Sequence, residues 1–407
     1  MHNTHGTWSL RNHSALMERF ASRAGGSVPE SSPGLGASLL TVLALLGVLI
    51  VAPARAERNV YFTGTFESGQ IRSSSSTVDG FWVHTLPNPQ TGATSVHSPD
   101  SSFGPSSALD TRVVRTEVVG SETVSPRKGE YFLRTAIYFE KDYTELNGGE
   151  LNKPRSKIYL SDEAHRIDHD VEGFVGFSIF TPRNFVHETG VRDHRGEAIL
   201  FAMNSTASRT HLVLSQFVQS PATEAHWFVK YYVGAESTNE DVAESVVVDL
   251  GPVAADLGKW TDFVIRYRFN PFATMTNPAV AGIPNAKNQV YEANKGILQV
   301  WKAEGVVDAN GDRRMALKID KVNTPIGLVP HYSDRLIQYW RIYKYGWHNN
   351  PTTVAGPIWY GFDEIRQGLA IRDGTGYADV SPSGLGCEVG CPMSGAKPSA
   401  PEAIQVH

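Results

Sequence analysis

Lys344, Gly346 and His348 fall two residues apart in the stretch Gln338-Tyr-Trp-Arg-Ile-Tyr-Lys-Tyr-Gly-Trp-His348, and Trp359-Tyr-Gly-Phe-Asp-Glu-Ile-Arg366 follows it. Both stretches read as aromatic and basic β-strands. Alternate side chains of a strand share a face, so a cation, a bare backbone position and a titratable ring would stand in one row. Arg341, Tyr343 and Tyr345 would take the other face. Glycine leaves room for close approach, and such a row suits the floor of a groove for an extended, anionic, hydroxylated polymer. The plainer alternative is an edge strand with snorkelling aromatics and solvated charges.

Earlier strands carry a second set of polar groups. Arg155, Lys157 and Tyr159 share one face of Arg155-Ser-Lys-Ile-Tyr-Leu160. They could clamp a carboxylate, the guanidinium bidentately and the ammonium as a point charge. Gln216 shares its strand face with Leu212, Leu214 and Val218; it is either a donor to a ligand or a satisfied core amide. His211 and His226 open two further apolar strands. The clusters around His165–Asp170 and His187–His194 hold ligand-type residues, but they fall in polar connections rather than on a helix that would aim them at a metal. They read as solvated loops or as a groove wall. Asp308-Ala-Asn-Gly-Asp312 lacks the distant glutamate of a calcium loop and reads as a turn.

These residues must be positioned by strands. From Tyr131 onward, short runs rich in β-branched and aromatic residues recur between Gly, Pro, Asn and Asp, the pattern of an antiparallel all-β fold. Trp260–Phe269 alternates cleanly, with Phe263, Ile265, Tyr267 and Phe269 on one side. With no long amphipathic helix in the pattern, the expected architecture is a concanavalin-like β jelly roll of two packed antiparallel sheets over residues 57–380. Residues 381–407, rich in Pro, Ser and Gly, are expected to be a disordered tail. Cys387 and Cys391 lie in that tail and could close a small disulfide loop in an exported protein.

Residues 1–56 have another character. Ala37–Val51 is an uncharged apolar run, short for a membrane span, and it ends at Ala54-Arg-Ala56. That is a signal-peptide pattern with cleavage after Ala56; the upstream stretch is long, and Met17 is an alternative start. A retained membrane anchor is the competing reading. Removing residues 1–56 takes away four arginines (Arg11, Arg19, Arg23, Arg55) and two glutamates (Glu18, Glu30), which moves the formal charge from −5 to −7. A mildly acidic chain lacks the broad basic footprint of a nucleic-acid binder, so any polyanion must meet a local basic patch. The expected product is secreted or periplasmic, monomeric and without stable membrane association.

Several segments, in order, resemble the heparin-lyase-I-type polysaccharide lyases, the jelly-roll group that includes glucuronan and some alginate lyases. Gly64-Thr-Phe-Glu-Ser-Gly69 is similar to that family's start, and Pro154-Arg-Ser-Lys-Ile158 resembles its Arg-x-Glu-Leu strand. Gly176-Phe-Ser-Ile-Phe-Thr-Pro182, the pair Gly258–Val264 and Gly296–Trp301, Tyr343-Lys-Tyr-Gly-Trp347 and Phe362-Asp-Glu-Ile-Arg366 resemble later motifs. The likeness spans roughly residues 60–370. Three positions depart from it: Lys157 stands where the family has glutamate, His348 where it has tyrosine, and Val218 where related alginate lyases have the histidine of Gln-x-His.

The resemblance implies β-elimination on a uronate polymer. A base removes the C5 proton, a cation or strong donor offsets charge developing on the C6 carboxylate, and an acid protonates the departing O4. On this reading His348 or Tyr345 exchanges protons, with His211 and His226 in reserve. Gln216 neutralises the carboxylate, and Arg155, Lys157, Tyr159, Lys344, Arg341 and His226 bind the anionic polysaccharide. The chemistry needs no metal or organic cofactor, and calcium enters only as a structural ion. The competing function is a lectin-like jelly roll that binds carbohydrate without cutting it, motivated by the departures at Lys157 and Val218.

Overall fold

The structure is a computed structural model. It describes residues 62–64, 66, 77–78, 81–83, 85–87, 94–96, 109–119, 122–137, 155–159, 167–185, 197–205, 210–219, 223–233, 243–307, 312–332, 335–344, 358–370 and 375–383. The expected signal segment and the two cysteines lie outside them. Among the described residues, twenty strands follow in chain order. They are β1 (Phe62–Gly64), β2 (Thr77–Val78), β3 (Phe81–Val83), β4 (Thr85–Pro87), β5 (Thr94–Val96), β6 (Leu109–Val114), β7 (Glu117–Val119), β8 (Glu122–Val124), β9 (Phe132–Ile137) and β10 (Arg155–Tyr159). The later and longer ones are β11 (Gly173–Thr181), β12 (Ala198–Ser205), β13 (Thr210–Phe217), β14 (His226–Val233), β15 (Glu244–Pro252), β16 (Lys259–Arg268), β17 (Ile297–Glu304), β18 (Arg314–Val322), β19 (Leu336–Lys344) and β20 (Ile358–Leu369). A one-turn helix, α1 (Tyr377–Val380), closes the described chain.

Two eight-stranded antiparallel sheets form the body. The first runs β18-β17-β16-β11-β20-β9-β6, with β1 also on β20; the second runs β15-β14-β13-β12-β19-β10-β3-β2. The late strands β19 and β20 insert between early ones in opposite sheets, the crossover pattern of a jelly roll. The all-β expectation therefore holds. β4–β5 and β7–β8 are separate small hairpins.

The sheets bury one continuous apolar core. Phe177 and Phe263 from the first sheet meet Phe201, Trp227 and Trp340 from the second: the Phe177–Phe201 centroids are 4.7 Å apart and the Trp227–Phe263 centroids 4.9 Å. The Trp260–Phe269 alternation is borne out, since Phe263, Ile265, Tyr267 and Phe269 all lie in this core. The other face of β11 is covered as well. Phe180 stacks on Trp359 at 5.6 Å, and Phe174 packs with Trp301, Tyr377 and Val380. α1 thus folds back over the first sheet, and Arg366 Nη1 donates to the Ser381 carbonyl at 2.9 Å. Ser381 and Ser383 are buried, so ordered packing continues past the expected tail boundary.

Candidate functional site

The second sheet decides which polar residues can reach a ligand, because its inward face is filled by the core. On β14, Trp227, Val229 and Tyr231 point inward, which leaves His226, Phe228, Lys230 and Tyr232 outward. On β13, Leu212 and Leu214 are inward, as is Val218 just beyond it, leaving Val213, Ser215 and Phe217 outward. On β19, Trp340 and Ile342 are inward, so Tyr339 and Arg341 face out.

Gln216 takes the inward row. It is fully buried, donates from Nε2 to Thr181 Oγ1 at 2.9 Å, and accepts from the Tyr360 hydroxyl at 3.0 Å. Both partners belong to the first sheet, so this amide ties the two sheets together. It does not reach an outward groove, which corrects its expected role as carboxylate neutraliser. His211 is corrected for a different reason. Met203 pairs with Leu212 and Asn204 with Thr210, so His211 is the extra residue of a β-bulge and is turned inward beside Leu212. Its ring lies 5.1 Å from Phe269, and the Leu328 amide donates to its Nδ1 at 3.3 Å.

Lys344 pairs along the backbone with the core residue Ala198. Arg155, Lys157 and Tyr159 pair along the backbone with Tyr343, Arg341 and Tyr339. The backbone register sets Arg155 one residue away from the position opposite Lys344. Tyr345 and His348 lie outside the described residues.

What does assemble outward is a flanked floor. Lys230 pairs with Val213, Val213 with Ala202, and Ala202 with Tyr339. At roughly 4.8 Å per strand, Lys230 and Tyr339 stand about 14 Å apart across the sheet. Between them the floor is small and apolar, with Ile199, Ala202 and Val213 forming their own cluster. Each flank carries a cation over an aromatic ring. Lys230 Nζ is 5.1 Å from the Tyr232 centroid, and Arg341 Cζ is 5.5 Å from that of Tyr339, geometry in which each ring face attracts its cation.

His226 ends the β14 flank. Its Nδ1 lies 2.7 Å from Asp249 Oδ2, while Asp249 Oδ1 accepts from the Gly251 amide at 2.7 Å. The carboxylate thereby orients the ring with Nδ1–H as donor and Nε2 as the remaining basic nitrogen. His226 thus belongs to the outward face, about 13 Å along the strand from Lys230. Lys230, Tyr232, Tyr339 and Asp249 were not anticipated. The signal for the first two was present in the alternation of His226-Trp-Phe-Val-Lys-Tyr-Tyr-Val233.

Two other charged clusters are spent on structure. Asp256 accepts from Trp227 Nε1, Lys302 Nζ and Arg313 Nη1 at 2.9, 2.8 and 2.6 Å. On the first sheet, Arg127 bridges Asp262 and Asp312, and Asp363 accepts from the Arg127, Lys128 and Glu364 amides. Burial, together with the adjacent Glu364, still pushes the Asp363 carboxyl well above the usual carboxylate range. Among the described residues, no group of three or more His, Cys, Asp or Glu side chains is placed to hold a metal ion.

No family model matches the chain, and no curated protein matches it in sequence. Solved structures similar in fold include an endo-β-1,4-glucuronan lyase from Trichoderma reesei, at 13% identity over 71% of this chain and 96% of that one, with TM-score 0.42. An alginate lyase from Aplysia kurodai matches at 10% identity over 60% and 84% of the two chains, TM-score 0.34. A GlcNAcα1-4Gal-releasing endo-β-galactosidase from Clostridium perfringens matches at 10% over 77% and 63%, TM-score 0.37. The fold class rests on the two sheets themselves, and what the site does must be argued from its own residues.

Proposed function

We propose that this protein is an exported, monomeric polysaccharide lyase that binds a uronate-containing chain along the outward face of the second sheet and cuts it by β-elimination. The observation that carries the proposal is the pair of cation–aromatic flanks, Lys230 on Tyr232 and Arg341 on Tyr339, facing each other across a small apolar floor. Arg155 and Lys157 lie on β10, the strand beside β19. Fixed cations of this kind offset charge building on the C6 carboxylate as the C5 proton leaves. The C5–H electrons form the C4–C5 double bond, the C4–O bond breaks, and the departing O4 takes a proton. We assign proton exchange to Tyr345 and His348, which follow β19 in the chain.

One observation favours a binding protein that does not cut. Gln216 and His211, the central-strand groups a lyase would use, are built into the interior. Incubating the folded protein with alginate, glucuronan and glycosaminoglycans tests both readings. Growing ultraviolet absorbance from an unsaturated uronate, with shortening of the chain, is the outcome expected of a lyase. Retention on an immobilised polyuronate without shortening selects the binding protein, and neither result with any uronate polymer overturns both.

A further inference from the structure

Most polar side chains inside this fold are tied to partners, as Gln216 and Asp256 show. Two on the outward floor are not. Ser215 is almost fully buried and Asn204 nine-tenths buried, yet Ser215 Oγ and Asn204 Oδ1 have no hydrogen-bond partner. Ser215 stands opposite Phe228 on β14 and Ile199 on β12, both outward residues. Asn204 follows the inward Met203 and pairs with Ile337 of β19. Both therefore face the floor between the Lys230 and Arg341 flanks. A buried polar atom without a partner carries a desolvation cost in the empty site that a ligand group can remove.

The chemistry of the two atoms defines that group. An amide oxygen accepts only, whereas a hydroxyl both donates and accepts. Asn204 Oδ1 is thus satisfied by a sugar hydroxyl and not by a carboxylate or an ester, and Ser215 can also pair with a hydroxyl. Ser215 lies level with Ile199, so the two positions are about 13 Å apart along the strands. A single ring cannot touch both, but an extended chain running along β12 and β13 can. This inference rests on the uronate-chain reading above and deepens it. We propose that Ser215 and Asn204 are specificity residues that read free hydroxyls between the carboxylates, so that the site prefers an unsubstituted polyuronate to an O-acetylated one.

The test uses the full chain and titration calorimetry with an alginate and its O-acetylated form. Wild type should bind the unsubstituted polymer at least about fivefold more tightly, the worth of roughly one hydrogen bond. Ser215→Ala and Asn204→Ala should each lower that affinity about fivefold and narrow the preference. Neither should lower the thermal midpoint, because each removes a buried unpartnered group; a structural role would do the reverse, leaving binding alone and lowering stability. Variants that bind like wild type, or a wild type indifferent to acetylation, would overturn the assignment while leaving the uronate reading standing. A wild type that binds neither polymer overturns that reading and this one with it.

Discussion

His169 and His211 meet Nε2 to Nε2 at 3.2 Å in the interior, 42 residues apart in sequence and both about 1% exposed. The Leu328 amide donates to His211 Nδ1, so His211 carries its proton on Nε2 and donates to His169. His169 must then be neutral, and its own Nδ1 has no partner. Burial first, then His211 and Lys287, hold its pKa well below the ordinary histidine value. Asp168, which pairs with Lys287 at 3.0 Å, stands next to it in the chain.

The pH consequence has a definite sign. A histidine depressed in the folded state takes up its proton in the unfolded chain first, so stability is complete above pH ~6.5 and falls as pH drops below it. The slope contributed by one such site is at most about 1.4 kcal/mol per pH unit. Urea midpoints should fall between neutral and mildly acidic pH, and His169→Leu should flatten that fall. Asp363 and Glu364, whose pKa values are raised, favour the folded state as pH falls. Their effect is common to both proteins and cancels in the difference. Parallel pH profiles for wild type and variant would refute the account.

Among the described residues, Asp256 is the one anion in contact with Lys302 and Arg313, both almost fully buried. Removing one partner of a buried pair leaves charge uncompensated, at a cost of roughly 3–5 kcal/mol. Asp256→Ala should lose about that much stability in denaturant titrations. Asp256→Asn removes the same charge and should lose nearly as much, even though its amide oxygen can still accept from Trp227 or Arg313. A loss far smaller in Asp256→Asn than in Asp256→Ala would count against a charge origin.

The contrast between Gln216 and Lys230 shows how much could be read in advance. Strand positions and the inward rows were legible because apolar residues alternate so regularly on β14 and β16. The faces of individual polar residues were less so. Gln216 sits in an apolar row, which left its role open until its partners on β11 and β20 were known. His211 was misread because one inserted residue reverses a face, and nothing in Thr210-His-Leu-Val-Leu marks a bulge. Lys230 and Tyr232 followed from the same alternation that exposed His226, but their value depends on Arg341 and Tyr339, more than a hundred residues later in the chain.

Gly176 is required by a contact that only the fold creates. A Cβ there would run into the Val380 carbonyl where α1 crosses β11. Gly176→Ala should therefore push the C-terminal turn off the first sheet, at a cost of about 1–3 kcal/mol. Faster amide exchange over residues 375–383, with the core strands unchanged, is the expected readout. Unchanged exchange there would show that α1 accommodates the methyl group.

The two flanking cations should differ in how salt affects them. Lys230 is partly exposed, so its attraction for a polyanion is screened within about 10 Å at ordinary ionic strength. Arg341 is only 6% exposed and braced on Tyr339, where screening is weaker. Lys230→Ala should weaken polyuronate binding by about threefold at low salt, with little effect at high salt. Arg341→Ala should cost on the order of tenfold at both, because a preorganised, poorly hydrated guanidinium is lost. Affinities measured across a salt series decide the matter, and identical salt slopes for the two variants would mean that the outward face does not hold the anion between these flanks.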